Sequence, residues 1–415
     1  MNKRYTEYVD SGVPWIGDVP AGWTTRPLWS MFERIKDVGH PDERMLSVFR
    51  DYGVVAKDSR DNINKTAENR NIYQLVHPGW LVTNRMKAWQ GSVGISGLRG
   101  IVSGHYICFA PRHDADSRYL NWLFRSPTYA AGYALQSRGV RIGQAEIDND
   151  LYRVMPVLLP PMAEQRAIAD YLDRETARID TLVEEQQRLI EMLRERRAAV
   201  ISSALAPIDS WVRRRIKHIG ETSLGKMLDA GRAVRDGDQL RPYVRAADVR
   251  ADGSVNLVDL NEMPFSDAEM EVFDLRAGDV LLIEGGATVG RPGFMFESAP
   301  GIAFQKTVNR LRVGPQTDAR FVYWSMLRLY ESAYYANHYG SVSFVHLTGE
   351  KLREIELHLP PLDEQRAIAA YLDEQTLKID ALIAETERFI ELARERRAAL
   401  ITAVVTGQID VREMA

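Results

Sequence analysis

The chain has 415 residues, 45% of them hydrophobic and 27% charged, which fits a soluble protein with packed cores and two to four domains. A formal net charge of −4 excludes a globally basic surface, so any phosphate-binding area has to be a local patch. The single cysteine, Cys108, excludes an intrachain disulfide and fits a reducing compartment.

The opening MNKRYTEYVDSG lacks the apolar core of a signal peptide, and no later stretch reaches the length of a membrane span. A cytoplasmic protein with no membrane partner is expected. Residues 1–158 read as a globular region in which short apolar runs, HPGWLVTNRM and LRGIVSGHYICFAP, alternate with Gly and Pro turns. Cys108 lies in the second run as a small buried hydrophobe. SRYLNWLFRS at 117–126 reads as an amphipathic helix with Trp122 in the core. This region carries 20 Lys and Arg against 16 Asp and Glu.

A different composition begins at Leu159. After Leu-Pro-Pro, the run from Met162 to Leu205 contains neither Pro nor Gly and is rich in strong helix formers. Its apolar residues Ile168, Leu172, Ile179, Leu182, Leu189, Leu193 and Val200 recur at heptad spacing, with polar breaks at Glu175, Gln186 and Arg196. About 40 helical residues at 1.5 Å each span roughly 60 Å. The RERRAA run at 194–199 reads equally as a solvated helix face.

Residues 206–358 return to short strands and turns, with 19 basic against 21 acidic residues. Arg213, Arg214 and Arg215 open the region as a basic run that suits either phosphate contact or a solvated linker. GETSLGKM at 220–227 nearly fits a phosphate-binding loop, but Met227 stands where a hydroxyl must hold magnesium. Gly285 to Gly290 lies at a strand end without dinucleotide spacing and reads as a turn of close backbone approach. AGDVLLIEGGATVG at 277–290 echoes PGWLVTNRMKAWQGSVG at 78–94, and ARFVYWSMLR places Trp324 opposite Trp122.

From Leu359 the helical segment comes back as LPPLDEQRAIAAYLDEQTLKID. Comparing 159–201 with 359–401 gives 27 identities in 43 without a gap, so the chain is a tandem duplication. The second seam runs through Ile368, Leu372, Ile379, Leu382, Phe389, Ala393 and Leu400, with breaks at Gln375, Thr386 and Arg396. A helix this long has no core of its own, so its natural partner is its twin; separate packing on the preceding domain is the alternative. Four segments result: 1–158, 159–205, 206–358 and 359–415.

Catalytic patterns are missing. The eight histidines form no i,i+4 pair, one cysteine excludes thiolate zinc sites, and no nucleophile or acid–base pair stands out.

YVDSGVPWIGDVPAGW at the start and LPP-x-x-EQRAIA-x-YLD before each long helix resemble the DNA-specificity subunits of type I restriction–modification systems, across nearly the whole chain. The resemblance implies an α+β fold with two tandem α/β target-recognition domains, each followed by a long helix. It implies that the helices pair as an antiparallel coiled coil with pseudo-twofold symmetry and act as a ruler between two unlike DNA half-sites. It further implies a non-catalytic chain without a cofactor, partnered by double-stranded DNA, two methyltransferase subunits carrying S-adenosylmethionine, and motor-nuclease (restriction) subunits.

Base readout favours Arg or Lys for guanine and Asn or Gln for adenine on exposed loops. In the first half the candidates are Arg85, Lys87, Trp89, Gln90 and Ser92, then Arg138, Arg141 and Gln144. The echo places their counterparts at Thr288 and Arg291, at Gln305 and Lys306, and at Ser341, Ser343 and His346. Two other readings stand beside this one. One is a protein-assembly scaffold built on the duplicated helices. The other is an enzyme whose site lies unrecognised in the divergent halves.

Overall fold

The computed structural model describes residues 4–59, 69–139, 145–227, 237–339 and 346–414. The chain divides into two compact units, residues 1–187 with 388–415, and residues 188–387. Each unit holds one globular half and a portion of both long helices.

Those helices run over Met162–Ala204 and Leu362–Val405, 43 and 44 residues. Each starts where its Pro-Pro pair can no longer donate, and the first free amides bond back to Pro161 or Pro361. The second helix ends at Gly407 with φ +72°, where the Gln408 amide returns to the Ala403 carbonyl at 2.7 Å.

Inside each unit the helices pair antiparallel. In the first unit Arg397 Nε meets Asp180 Oδ1 at 2.8 Å, and Arg174 donates to the Met414 carbonyl. In the second, Arg197 Nε meets Asp380 Oδ1 at 2.9 Å and Arg194 reaches Glu387 at 3.2 Å. Asp180–Arg397 and Asp380–Arg197 are repeat counterparts, so the duplicated sequence makes the same contact in each unit.

Half of the expected seam holds, and the other half is shifted by one residue. Leu172, Leu193, Leu372, Ile379 and Ala393 are buried as expected, as is the polar Thr386. Leu182, Leu382 and Phe389 are exposed, and Arg196 and Arg396 face solvent; Val183, Ile190, Arg197, Ile383, Ile390 and Arg397 take the inner positions instead. Positions three and four residues from a buried site flank it on opposite sides, and spacing alone does not choose between them.

Each helix packs on its preceding domain, but not separately from its twin. In the first unit Ile168, Ala169 and Leu172 enter the domain core together with Ile401, Val404 and Val405 of the other helix. In the second, Ala369 and Leu372 do so with Ile201 and Leu205. Each globular half therefore rests on the beginning of one helix and the end of the other.

The faint echo between the halves is one sheet built twice. In the first half an antiparallel four-stranded sheet runs in the order Phe32–Arg34, Tyr106–Pro111, Leu81–Asn84, Val93–Ile95. In the second the order is Gly220–Leu224, Val308–Val313, Val280–Ile283, Pro292–Phe294. Around these sheets the halves differ. The first carries a hairpin, Leu46–Phe49 with Gly53–Ala56. The second adds a three-stranded sheet of Gln239–Val244, Asn261–Phe265 and Ala303–Phe304 with a core of its own. Cys108 is fully buried, and burial pushes its thiol up to about 12.

The repeated LPP-x-x-EQ motif is the joint between domain and helix. Pro156–Leu159 pairs with Thr24–Pro27, and Glu356–Leu359 with Val212–Arg215. Glu164 accepts the Trp23 indole N–H at 2.9 Å and the Tyr5 hydroxyl; Glu364 accepts the Trp211 indole at 3.1 Å. The buried Gln165 donates to the Pro160 carbonyl at 2.8 Å and accepts from the Asp116 amide at 2.9 Å. Gln365 repeats both bonds with Pro360 and Asp318, at 2.8 and 2.9 Å. Asp116 and Asp318 in turn cap Ser117–Arg125 and Ala319–Glu331. The indoles of Trp122 and Trp324 donate to Asp173 and Asp373 at 2.7 and 2.9 Å, so both tryptophans are core anchors.

Gln365→Ala strands a buried carbonyl and a buried amide. It should lower unfolding stability by about 1–3 kcal/mol in urea titration, and Gln165→Ala by a similar amount.

Candidate nucleic-acid interface

The strand Leu81–Asn84 is held by apolar packing and by Thr83, whose hydroxyl bonds the Tyr152 hydroxyl at 2.7 Å. Burial raises the Tyr152 phenol above its ordinary range. Beyond Asn84 the chain folds back on itself. The Lys87 amide donates to Asn84 O at 3.2 Å, Gly91 adopts φ +86°, and the Asn84 amide reaches Ser92 O at 3.0 Å. The result is a tight loop over 85–92.

This loop meets the other predicted segment of the first half. The short hairpin Ser137–Arg138 with Glu146–Ile147 is tied to it by the Ile147 amide donating to Arg85 O at 3.1 Å. Arg85 forms an ion pair with Glu146, and Arg138 Nε lies 2.9 Å from Asp148. Lys87, Gln90 and Arg138 are exposed. Trp89 is half-buried and spends its indole N–H on Met86 O at 3.1 Å. Ser92 is buried, so its side chain supports the loop and does not face outward. Arg141 and Gln144 lie outside the described residues.

The second half assembles a comparable cluster from different residues. Glu284, at the end of Val280–Ile283, donates its amide to Thr307 O at 2.9 Å and accepts from the Leu347 amide at 2.7 Å. That joins the 284–291 turn, the 305–307 turn and His346, whose Nδ1 lies 3.3 Å from the Glu284 carboxylate. Lys306 and His346 are exposed, and Gln305 accepts the Thr307 hydroxyl at 3.1 Å. Thr288 accepts the Arg291 amide at 3.0 Å, while the Arg291 guanidinium leans over the Tyr330 ring at 5.9 Å. Ser341 and Ser343 lie outside the described residues.

Both clusters therefore carry basic and amide side chains at the end of the same sheet strand, interleaved with carboxylates. Glu146, Asp148 and Glu284 reduce the positive potential that a polyanion would meet. Elsewhere, GETSLGKM is no phosphate loop: Gly220–Leu224 is a strand, and Lys226 is held by Glu269 at 2.7 Å. The Arg213–Arg215 run lies on a paired strand, with Arg213 and Arg215 bound to Glu356 and Glu354. Among the described residues no group of His, Cys, Asp and Glu could hold a metal ion, and no helix is long and apolar enough to cross a membrane.

Asp173 and Asp373 also hold Arg118 at 3.2 Å and Arg320 at 2.8 Å, anchors that sequence reasoning misses. Identity of Glu164, Gln165 and Asp173 between the two copies was the available signal.

Residues 208–391 match the type I restriction modification DNA specificity domain. Over 90 residues the chain is 38% identical to the EcoBI type I restriction enzyme specificity subunit of Escherichia coli, covering 22% of this chain and 19% of that relative. One solved chain, from a study of complex assembly and conformational transition in the type I R-M system, has a TM-score of 0.73 at 15% identity, covering 93% of this chain and 98% of that one. The HsdS subunit of Thermoanaerobacter tengcongensis gives 0.56 at 17% identity, covering 94% and 98%. At these identities the solved structures speak for the fold.

Gly290 sits at φ +78° with the Tyr335 ring 2.2 Å from where a Cβ would lie. Gly290→Ala should destabilise the second half by more than about 1 kcal/mol, read as a lower thermal midpoint.

Proposed function

We propose that this chain is a DNA-specificity subunit of a type I restriction–modification system, reads a split, asymmetric DNA target and carries no catalytic activity itself; the match of residues 208–391 to the DNA specificity domain supports this. Residues 1–158 read one half-site and residues 206–358 the other. The carrying observation is that the joint between domain and helix is the same in both copies, while the loops at the sheet end differ. Identical joints with unlike loops suit two readers of unlike sequences on one scaffold.

The DNA-contacting residues of the first half are Arg85, Lys87, Gln90 and Arg138, and those of the second half Gln305, Lys306 and His346. Lys and Arg contacts to phosphate supply salt-dependent affinity, and a few side chains supply specificity. Two methyltransferase subunits carrying S-adenosylmethionine dock on the helices, and motor-nuclease subunits complete the complex in the cytoplasm. Leu182, Phe389 and Leu392 in one unit, and Met192, Tyr371 and Leu382 in the other, are exposed apolar side chains that suit such docking. Partner subunits also supply the basic surface that a chain of net charge −4 lacks.

The test is a genome-wide map of methyladenine with and without this gene, its methyltransferase partner kept intact. A split motif that disappears with the gene is the expected result; no gene-dependent motif overturns the reading. Removing seven residues in step from both helices shortens each by roughly 10 Å. The unread spacer should then shrink by about three base pairs at 3.4 Å per step, with both half-sites unchanged in the methylation map.

A further inference from the structure

The hairpin Leu46–Phe49 with Gly53–Ala56 has a counterpart in the second half, where Val249 bridges Val255 and Gly253 at φ +82° lies against Tyr323, but the first-half tip is supported by an arginine instead. Arg125, at the end of Ser117–Arg125, donates from Nε and Nη2 to the Arg50 carbonyl at 3.3 and 3.2 Å, and from Nη2 to the Asp51 carbonyl. Its guanidinium also lies 5.8 Å from the Trp122 ring, and that of Arg397 lies 5.9 Å from the same ring. Burial, with Arg397 nearby, lowers Arg125 to about 10, so it stays charged at neutral pH. Gly53 at φ +67° lets the tip close over this side chain, 3.4 Å from where a Cβ would be.

The clamp immobilises the backbone of Arg50 while its side chain is left exposed. Among the described residues the Arg50 guanidinium has no ion pair or hydrogen bond, unlike Arg85 and Arg138, which are matched by Glu146 and Asp148. Arg50 also borders the loop over 85–92, since its Cγ lies 3.5 Å from where a Cβ on Gly91 would sit. It therefore joins Lys87 and Gln90 as a third exposed polar group at one place.

We propose that Arg50 is a specificity-determining residue of the first half, reading a guanine edge in double-stranded DNA, and that Arg125 is its positioning residue. The inference rests on the DNA-reading function proposed above. A fixed backbone under an unpaired planar fork suits bidentate base contact, where geometry decides, more than phosphate contact, where charge is enough.

The experiment uses the full chain in complex with its methyltransferase partner, on a library of half-site variants. Arg50→Ala and Arg50→Lys should each relax the preference at one base pair of one half-site by roughly ten- to a hundredfold, leaving the other half-site intact. Arg125→Lys, with Arg50 present, should relax the same base pair at an unchanged second half-site. Lys87→Ala provides the contrast: weaker binding to all sequences and a shallower salt dependence. Arg50→Lys behaving as wild type, a uniform loss like that of Lys87→Ala, or an unchanged motif overturns the proposal. A wild-type complex with no split motif overturns the DNA-reading function instead.

Discussion

Everything in this protein depends on a buried glutamine and its acidic neighbour at the start of each long helix. Gln165 and Gln365 each join a Pro-Pro carbonyl to the capping aspartate of a domain helix, and Glu164 and Glu364 hold the indoles of Trp23 and Trp211, the residues just before Thr24–Pro27 and Val212–Arg215. A buried amide with both ends satisfied has one acceptable position, because any shift leaves polar groups without water or partner. Directional bonds of this kind fix how a domain is seated on its helix. The apolar seam alone would leave that seating free to slide.

The helix pairing itself is made of weaker parts. The Asp180–Arg397 and Asp380–Arg197 pairs are half exposed on the acidic side, so each is worth no more than about 1 kcal/mol. Thr386 and Gln186 interrupt the seam with groups that cost burial energy. Such a seam sets register more than it supplies stability. Stability comes from the shared cores, where residues of one helix start and the other helix end meet the domain.

The divergent halves show what such a joint permits. One sheet recurs in both, and what surrounds it differs: a hairpin tip clamped by Arg125 in one, a three-stranded sheet in the other. The loops at the sheet end keep their place while exchanging side chains, Arg85 with Glu146 in one half and His346 with Glu284 in the other. A surface rebuilt on a constant frame is suited to changing what is read without changing how it is presented.

From the sequence alone, the duplication and the two long helices were legible, because helix propensity and heptad spacing are local properties of the chain. The loops that come together in each half were also found, through the echo between the copies. The tertiary structure decided which flank of the seam is buried, Val183 over Leu182 and Ile390 over Phe389. It also decided that Ser92 turns inward and that Arg50 is held out by an arginine 75 residues away. Those outcomes depend on partners distant in the chain, and burial and hydrogen bonding across such distances leave no periodic mark in the order of residues.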